Sequence, residues 1–364
     1  MTSDPADLGL IRAEVATALK RFLRRQRDVL ATIGDDLLPW VEVISELLSG
    51  GKRFRPAFCY WGWRAAGGQT CPEIFTAAAA LELLQASALV HDDVMDASDV
   101  RRGRPAVHRQ FAAMHEAAGF AGSAEAFGAG AGILVGDALL SWTDELYHAS
   151  GLPADVLQRG QPMLNAMRTE VAAGQYLDLL NQFSGNETVQ SAMRMVTYKT
   201  AKYTIERPLH LGAALAGGGL AGERPHSVAA VAPTFTDYGL PLGVAFQLRD
   251  DILGVFGDPA RTGKSVTGDI SEGKRTVLIA LARERASAHQ LGVLDQHLGD
   301  RQLTAGGAAE VRGVIAETGA LAECENLISA SVKEAIAALD GAPITDAARS
   351  ALIELAVLTS SRAD

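Results

Sequence analysis

No stretch of this 364-residue chain sustains the alternation of apolar and polar residues that marks a half-buried strand. Apolar residues at helical spacing recur instead. They run from Leu10 to Leu48, fill the segment AAAALELLQASALV (Ala77 to Val90), and return in GAALAGG from Gly212. Alanine and leucine lead the scale of helix propensity, so the chain reads as all-α, with roughly a dozen helices and few or no strands. Breaks are expected at Gly50-Gly51, Gly67-Gly68, Gly103 to Pro105, Gly119 to Gly132, Gly151 to Pro153, Ser184 to Asn186, Gly217 to Gly219 and Gly257 to Gly273. None is a long linker and no shift of composition marks a second domain. One helical domain over 1–364 is therefore expected.

Composition narrows the function classes. The 33 basic residues fall short of the 43 acidic ones, a net charge of −10 that gives nucleic acid no general reason to bind. No uninterrupted apolar run reaches the ~18 residues of a membrane span, and the acidic N-terminus lacks the pattern of a secretory signal. Cys59, Cys71 and Cys324 are odd in number and far apart, as expected of reduced thiols in a cytoplasmic protein.

Two acid clusters carry the chemistry. The first, His91-Asp92-Asp93-Val94-Met95-Asp96, closes an apolar helix expected to start at a Thr70/Glu73 capping box with Pro72 in its first turn and to run to about Ala97. Asp92 and Asp96 lie one turn apart on one face, with Asp93 about 100° round the helix. Oxygen donors at this spacing suit magnesium, whose shell is completed by water and substrate phosphate; an acid-rich, solvated helix end is the alternative. The second cluster, Gln247-Leu248-Arg249-Asp250-Asp251, follows Pro241. It reads either as a partner metal cluster across a shared cavity or as an ion pair built on Arg249.

Cations grouped near glycines accompany the acids: Gly50-Gly51-Lys52-Arg53-Phe54-Arg55-Pro56, Arg101-Arg102-Gly103-Arg104, Gly263-Lys264 and Gly273-Lys274-Arg275. Guanidinium forks and ammonium groups match phosphate oxygens, and diphosphate is the ligand this mixture favours. The G-G-K-R loop lacks Walker spacing and a preceding strand. His108, His115, His148, His210, His226, His289 and His297 show no metal-ligand spacing, and His91 is expected to turn away from the acids.

In this order, GGKRFRP, ELLQASALVHDDVMD, RRGRPAVH, YKTAKYT, FQLRDDILGVFGD, TGKSVTGD and EGKRT resemble the trans-isoprenyl diphosphate synthases (polyprenyl synthetases) over about residues 45 to 280. The segments 1–40 and 281–364 are the more variable flanks. The resemblance implies an isoprenoid-synthase bundle of helices around a deep central cavity, a homodimer, and three magnesium ions at the site. It implies head-to-tail condensation of isopentenyl diphosphate with an allylic diphosphate.

Position by position, the resemblance assigns Lys52, Arg55, Gln85 and Arg102 to isopentenyl diphosphate, with Gln85 standing where many relatives have histidine. Arg101, Lys199, Thr200, Gln247, Lys264 and Lys274 would surround the allylic diphosphate. Asp92, Asp93, Asp96, Asp250 and Asp251 would serve the metal ions, with Lys199 and Lys264 assisting catalysis. Glu170, Gln175 and Asp178 would support the site, and Pro208 would kink its helix to aim Lys199 and Thr200. One position departs from the family pattern: Gly254 stands where the second motif often ends in aspartate. Ser87 and Ala88, small residues one turn before Asp92, with Leu84 beyond, would leave room for a geranylgeranyl (C20) product. The alternatives are a farnesyl or longer-chain synthase, a class I terpene cyclase, and a non-catalytic regulatory subunit.

Overall fold

The computed structural model describes residues 6–185, 188–217, 228–257 and 268–361. They are almost entirely helical, as expected. The helices are α1 (Leu8–Ile33), α2 (Leu38–Leu48), α3 (Phe54–Ala65), α4 (Pro72–Met95), α5 (Val107–Ala118), α6 (Ala124–His148), α7 (Ala154–Ser184), α8 (Val189–Val196), α9 (Arg207–Ala216) and α10 (Val228–Phe256). A π-helix, Thr197–Glu206, joins α8 to α9. Further helices cover Gly268–Ser271, Val277–Arg285, Ala288–His297, Ala305–Glu317, Ala320–Ala337 and Asp346–Ser361. Lys264, Asp258 and His226 lie outside the described residues.

The segment with helical spacing from Leu10 to Leu48 forms two helices, with α1 ending at Gly34. The Thr70/Glu73 capping box does not form. The N-cap of α4 is Cys71, which makes no side-chain cap bond, and Pro72 opens the helix. Thr70 instead bonds to Tyr60 and Arg64, and a capping box is found at Ser287 and Gln290.

The chain packs as two compact units, each assembled from separate segments: 1–165, 207–232 and 343–352 in the first, 166–206, 233–342 and 353–364 in the second. In the first unit α4 is the core helix. It packs against α1, α3 and α6, and Ala77 to Leu81 are wholly buried. By length and composition α4 and α6 could each cross a membrane. α4 is mostly buried as a core helix, whereas α6 exposes Phe127, Ile133 and Leu134. In the second unit one cluster gathers Met195, Leu248, Ile252, Leu278, Val311 and Ile328 from five helices.

The breaks read at Gly50-Gly51, Gly67-Gly68, Gly103, Gly119, Gly151 and Gly185 fall between helices, whereas Gly128, Gly130 and Gly132 lie inside α6. Gly128, Gly132 and Gly136 recur every fourth residue on α6, and a Cβ on them would strike His108, Val94 and His91. They let α6 close onto α5 and α4. Gly62 and Gly212 do the same for α3 and α9, where a Cβ on Gly212 would collide with the Cys59 carbonyl and the Trp63 amide. In the second unit, Gly174 of α7 and Gly243 of α10 press against the backbone of the π-helix at Lys199 and Ala201.

Gly212→Ala is expected to lower the urea midpoint by the equivalent of about 1–3 kcal/mol, the usual penalty for overpacking. Gly313→Ala, with nothing within 4 Å of the added methyl, is expected to leave the midpoint unchanged or raise it, by up to about 1 kcal/mol. Urea titrations followed by circular dichroism check both.

Candidate active site

In the first unit the acid cluster is shaped by the way α4 ends. The helix stops at Met95 rather than near Ala97, and Asp96 is its C-cap. Ala97 takes a left-handed conformation (φ 52), and the Ser98 amide donates to the Asp93 carbonyl at 2.9 Å. This is the reverse turn that closes many helices, usually with glycine at the left-handed position. It leaves Asp92 and Asp96 on the last turn, as the spacing requires.

Past this turn the RRGRP motif is a hairpin of two short strands, Val100–Arg101 and Arg104–Pro105. Arg101 pairs with Arg104 across a two-residue turn. Both turn residues have positive φ, 55 for Arg102 and 75 for Gly103, the mirror-image turn favoured in hairpins. The fold thereby sends adjacent arginines to different places. Arg101 Nε donates to Asp93 Oδ1 at 2.9 Å and its Nη2 lies 3.3 Å from Asp92 Oδ2. Arg102 turns to the glycine loop, donating to the Leu47 carbonyl at 3.0 Å and the Gly50 carbonyl at 3.4 Å. Arg104 pairs with Glu46.

The glycine loop is pinned from below by Arg53, which takes a left-handed backbone (φ 57). Its buried guanidinium pairs with the buried carboxylate of Glu82 on α4 and donates to the Leu48 carbonyl. Arg102 thus feels three other guanidiniums, Arg53, Arg101 and Arg55, along with the acid of Glu82. Burial, followed by repulsion from Arg53, Arg101 and Arg55, holds the Arg102 guanidinium below its ordinary pKa, while Glu82 pulls it up. Such a cluster calls for an anion. A pocket of about 150 Å³ opens here, lined by Glu46, Ser49, Gly50, Arg101, Arg102 and Arg104. Lys52 is exposed and Arg55 half-buried beside it in sequence.

Between Ile74 and Val90 of α4 the half-buried residues are Gln85, Ala88 and Leu89, a stripe that continues to half-buried Asp92. The buried Oε1 of Gln85 has no hydrogen-bond partner. Ser87 and Leu84 are not brought to this stripe. Ser87 is buried and donates to the Gly136 carbonyl at 2.8 Å, and Leu84 is buried in the core. His91 turns to α6, its Nε2 3.1 Å from the Ile133 carbonyl.

In the second unit the π-helix carries the YKTAKYT motif directly ahead of Pro208. Proline supplies no N–H to the helical ladder, and wide turns of this kind often mark functional positions. Lys199 donates from Nζ to Asp178 Oδ2 at 2.5 Å. Thr200 donates to Gln247 Oε1 at 2.6 Å, and Gln247 Nε2 donates to Asp251 Oδ1 at 2.7 Å, a chain that fixes the orientation of Gln247. Lys202 bonds to Glu170 at 3.0 Å. Gln175 is half-buried on the same helix as Asp178.

Arg249 forms the ion pair that one reading of the second cluster expects. It grips Glu325 with both ends of its fork, at 2.6 and 2.7 Å. Asp250 and Asp251 remain as a carboxylate pair. Burial, reinforced by the charges of Asp269 and Asp250 and offset by the Gln247 bond and Lys274, pushes the Asp251 carboxyl up to about 8. Lys274 Nζ lies 3.0 Å from Glu272 and 3.6 Å from Asp269.

These donors fit magnesium. All are hard carboxylate oxygens, and crowding of acids around Asp251 is relieved by a cation. Among the described residues no three acidic, histidine or cysteine side chains converge to chelate an ion unaided, which suits an ion whose shell is finished by water and phosphate.

Residues 39–314 match the polyprenyl synthetase family model. The chain belongs to the polyprenyl synthetase family. As a family member it is a magnesium-dependent prenyltransferase, a trans-prenyl diphosphate synthase that joins isopentenyl diphosphate to allylic diphosphates. It is 32% identical over 350 residues to geranylgeranyl diphosphate synthase of Mycobacterium tuberculosis, covering 93% of this chain and 91% of that one. It is also 32% identical over 267 residues to octaprenyl diphosphate synthase of Escherichia coli, covering 72% and 73%. In structure it resembles geranylgeranyl pyrophosphate synthase from Corynebacterium glutamicum, solved with isoprenyl diphosphate and magnesium. The TM-score is 0.90 at 41% identity, over 99% of this chain and 100% of that one. The match begins at residue 39 and runs on to 314, past the expected flank boundary at 281.

Glu82, the first residue of ELLQASALVHDDVMD, and Asp269, the last of TGKSVTGD, pair with or act on site residues although the sequence reading gave neither a role. For Glu82 the available signal is a lone acid inside an apolar Ala/Leu run, because a buried carboxylate needs a counter-charge. Glu82→Gln removes that charge from Arg53 and is expected to destabilise the fold by about 3–5 kcal/mol. In the surviving enzyme it should raise KM for isopentenyl diphosphate more than it lowers kcat, which steady-state kinetics on the folded fraction would measure.

Proposed function

We propose that this synthase makes geranylgeranyl diphosphate (C20) from dimethylallyl, geranyl or farnesyl primers. The observation that carries the site assignment is the division of labour at the RRGRP hairpin. One arginine lies on the Asp92–Asp93 acids, and the next turns to the carbonyls of the glycine loop, where it feels the charges of Arg53, Arg101 and Arg55 as well as that of Glu82. A prenyl synthase needs both kinds of place, one for metal-bound allylic diphosphate and one for isopentenyl diphosphate.

Lys52, Arg55, Gln85 and Arg102 hold the isopentenyl diphosphate. Arg102 spends part of its five-donor fork on the Leu47 and Gly50 carbonyls and presents the rest to phosphate. Asp92 and Asp96 hold metal from the first unit, while Asp93 is engaged by Arg101 and orients it. Asp250, with Asp251 beside it, holds metal in the second unit. Magnesium, when bound, would supply neutralisation of the charge on a departing diphosphate. Arg101, Lys199, Lys264 and Lys274 are fixed positive charges of the kind the allylic diphosphate requires, and Thr200 holds Gln247 in place. Preorganised charge of this kind supplies most of the transition-state stabilisation in such sites. Isopentenyl diphosphate then attacks from its own clamp, so that much of the rate comes from positioning. The proton it loses passes to the released diphosphate.

Product length is read from the half-buried stripe of α4. Ala88 lies one turn below Asp92 and is small, so the growing chain can pass it. Leu81, eleven residues before Asp92 and about 16 Å away along the axis, is the next bulky residue close to that line. A homodimer is supported by α6, which leaves Phe127, Ile133 and Leu134 uncovered, and by Phe120 before it. A cytoplasmic location is supported by the odd number and wide spacing of Cys59, Cys71 and Cys324, none of which pairs with another.

The purified protein, given magnesium, isopentenyl diphosphate and each primer, is expected to yield C20 diphosphate as the main product by chromatography. Cyclised hydrocarbon would instead identify a terpene cyclase, and no turnover would identify a regulatory subunit. Ala88→Phe should shift the product toward C15; an unchanged distribution would remove Ala88 from the control of length. Asp92→Ala and Asp250→Ala should each lower kcat by at least about 10²-fold.

A further inference from the structure

Acids outnumber bases in this chain, yet α1 gathers five cations into residues 20–27, KRFLRRQR, with no acid among them. Two of the five hold the helix to the first unit. Arg25 pairs with Glu145 of α6, its guanidinium carbon 5.6 Å from the centre of the Phe22 ring, and Arg21 lies 3.4 Å from the Thr76 hydroxyl of α4. The other three, Lys20, Arg24 and Arg27, are exposed and make no hydrogen bond or ion pair among the described residues. Spaced by four and three residues, they fall within about 60° of one another around the helix axis. This is the side turned away from Phe22 and Gln26, which are buried. Ala13, Thr17 and Ala31 continue the line at either end, all exposed and all short. A straight row of long cations therefore stands proud of a smooth helix. Like charges three and four residues apart repel, and no acid among the described residues pairs with these three.

We infer that this face of α1 docks the synthase on the surface of an anionic lipid bilayer. A flat layer of phosphate headgroups meets a straight row of cations all at once, and juxtaposed Lys and Arg are what such a layer attracts. The net charge of −10 does not oppose it. Fields fade over ~8 Å at physiological salt, so the row that touches the surface decides, and more distant acids do not. The product selects a membrane over other polyanions, and to that extent the inference rests on the prenyl synthase activity. A prenyl diphosphate is an amphiphile, and each methylene of its tail favours the bilayer over water. Release beside a bilayer spares the tail a passage through water. Docking is peripheral and reversible, because the apolar face of α1, with Ile11, Val15, Leu19 and Phe22, is buried in the fold and not free to insert.

Sedimentation of the full-length protein with lipid vesicles tests this. Binding is expected to vesicles of phosphatidylcholine and phosphatidylglycerol in equal parts, not to vesicles of phosphatidylcholine alone, and is expected to be reversed by added salt. The triple variant Lys20→Gln/Arg24→Gln/Arg27→Gln should lower partition onto the anionic vesicles by about 10²-fold, a few-fold for each cation lost. Its urea midpoint should be unchanged or raised, and its kcat and KM in solution unchanged. Neutralising Arg194, Arg301 and Lys333, three exposed cations of the second unit, alters the net charge equally and should leave most of the binding. No binding by the wild-type protein, equal binding to both kinds of vesicle, or equal loss in the two triple variants overturns the inference. A wild-type protein that ignores the anionic vesicles but shifts RNA in a gel also overturns it and assigns the row to nucleic acid.

Discussion

Arg101 lying across Asp92 and Asp93 is the contact on which the first unit's chemistry depends. It ties a hairpin of arginines to the acids at the end of an apolar helix. Asp93 is consumed by the contact, whereas Arg102, one residue on, is turned away to a place where cations dominate. Had both arginines paired with acids, neither a cation nor an anion would have reason to bind. The positive φ of Arg102 and Gly103 is the backbone cost of this separation. The turn type explains why the motif needs a glycine at its third position.

Glycine plays a second part inside the helices. Gly128, Gly132 and Gly136 bring α6 against α4, so that Ser87 can reach the Gly136 carbonyl and His91 can lie over the same helix. In the second unit, Gly174 and Gly243 admit the wide π-helix that carries Lys199 and Thr200. A close-packed interior transmits small changes in volume, and in this protein the tolerance is set to that of a hydrogen atom. Gly254 belongs to the same pattern, except that its space is taken by the Asp269 carboxylate rather than by a neighbouring backbone.

The helical class and the ordered motifs were legible because they are local: periodicity, propensity and short spacings. Asp92 and Asp96 fall on one helix end as their four-residue interval requires, and Arg249 pairs as the plainer reading of its motif holds. What was hidden is non-local. Gly128 and Gly132, read as part of a break, are packing contacts inside α6, since a sequence does not reveal what lies across from a missing side chain. The partners of Arg53 and Lys199, Glu82 and Asp178, are 29 and 21 residues away. Ser87, close to Asp92 in sequence, invites a share in product length, but its hydroxyl faces α6. A turn of 100° per residue puts it well round the helix from Asp92, while Ala88 stays near that line. The capping box at Thr70 failed because Tyr60 and Arg64 claim its hydroxyl.

On the proposed assignment the two diphosphates are recognised by opposite means, one by fixed cations and the other by acids that need a metal between them and the ligand. Calorimetric titration with and without magnesium tests this most directly. Isopentenyl diphosphate is expected to bind with similar affinity in EDTA and in magnesium, and an allylic thiodiphosphate only when magnesium is present. Equal binding of the allylic ligand in EDTA would contradict this division.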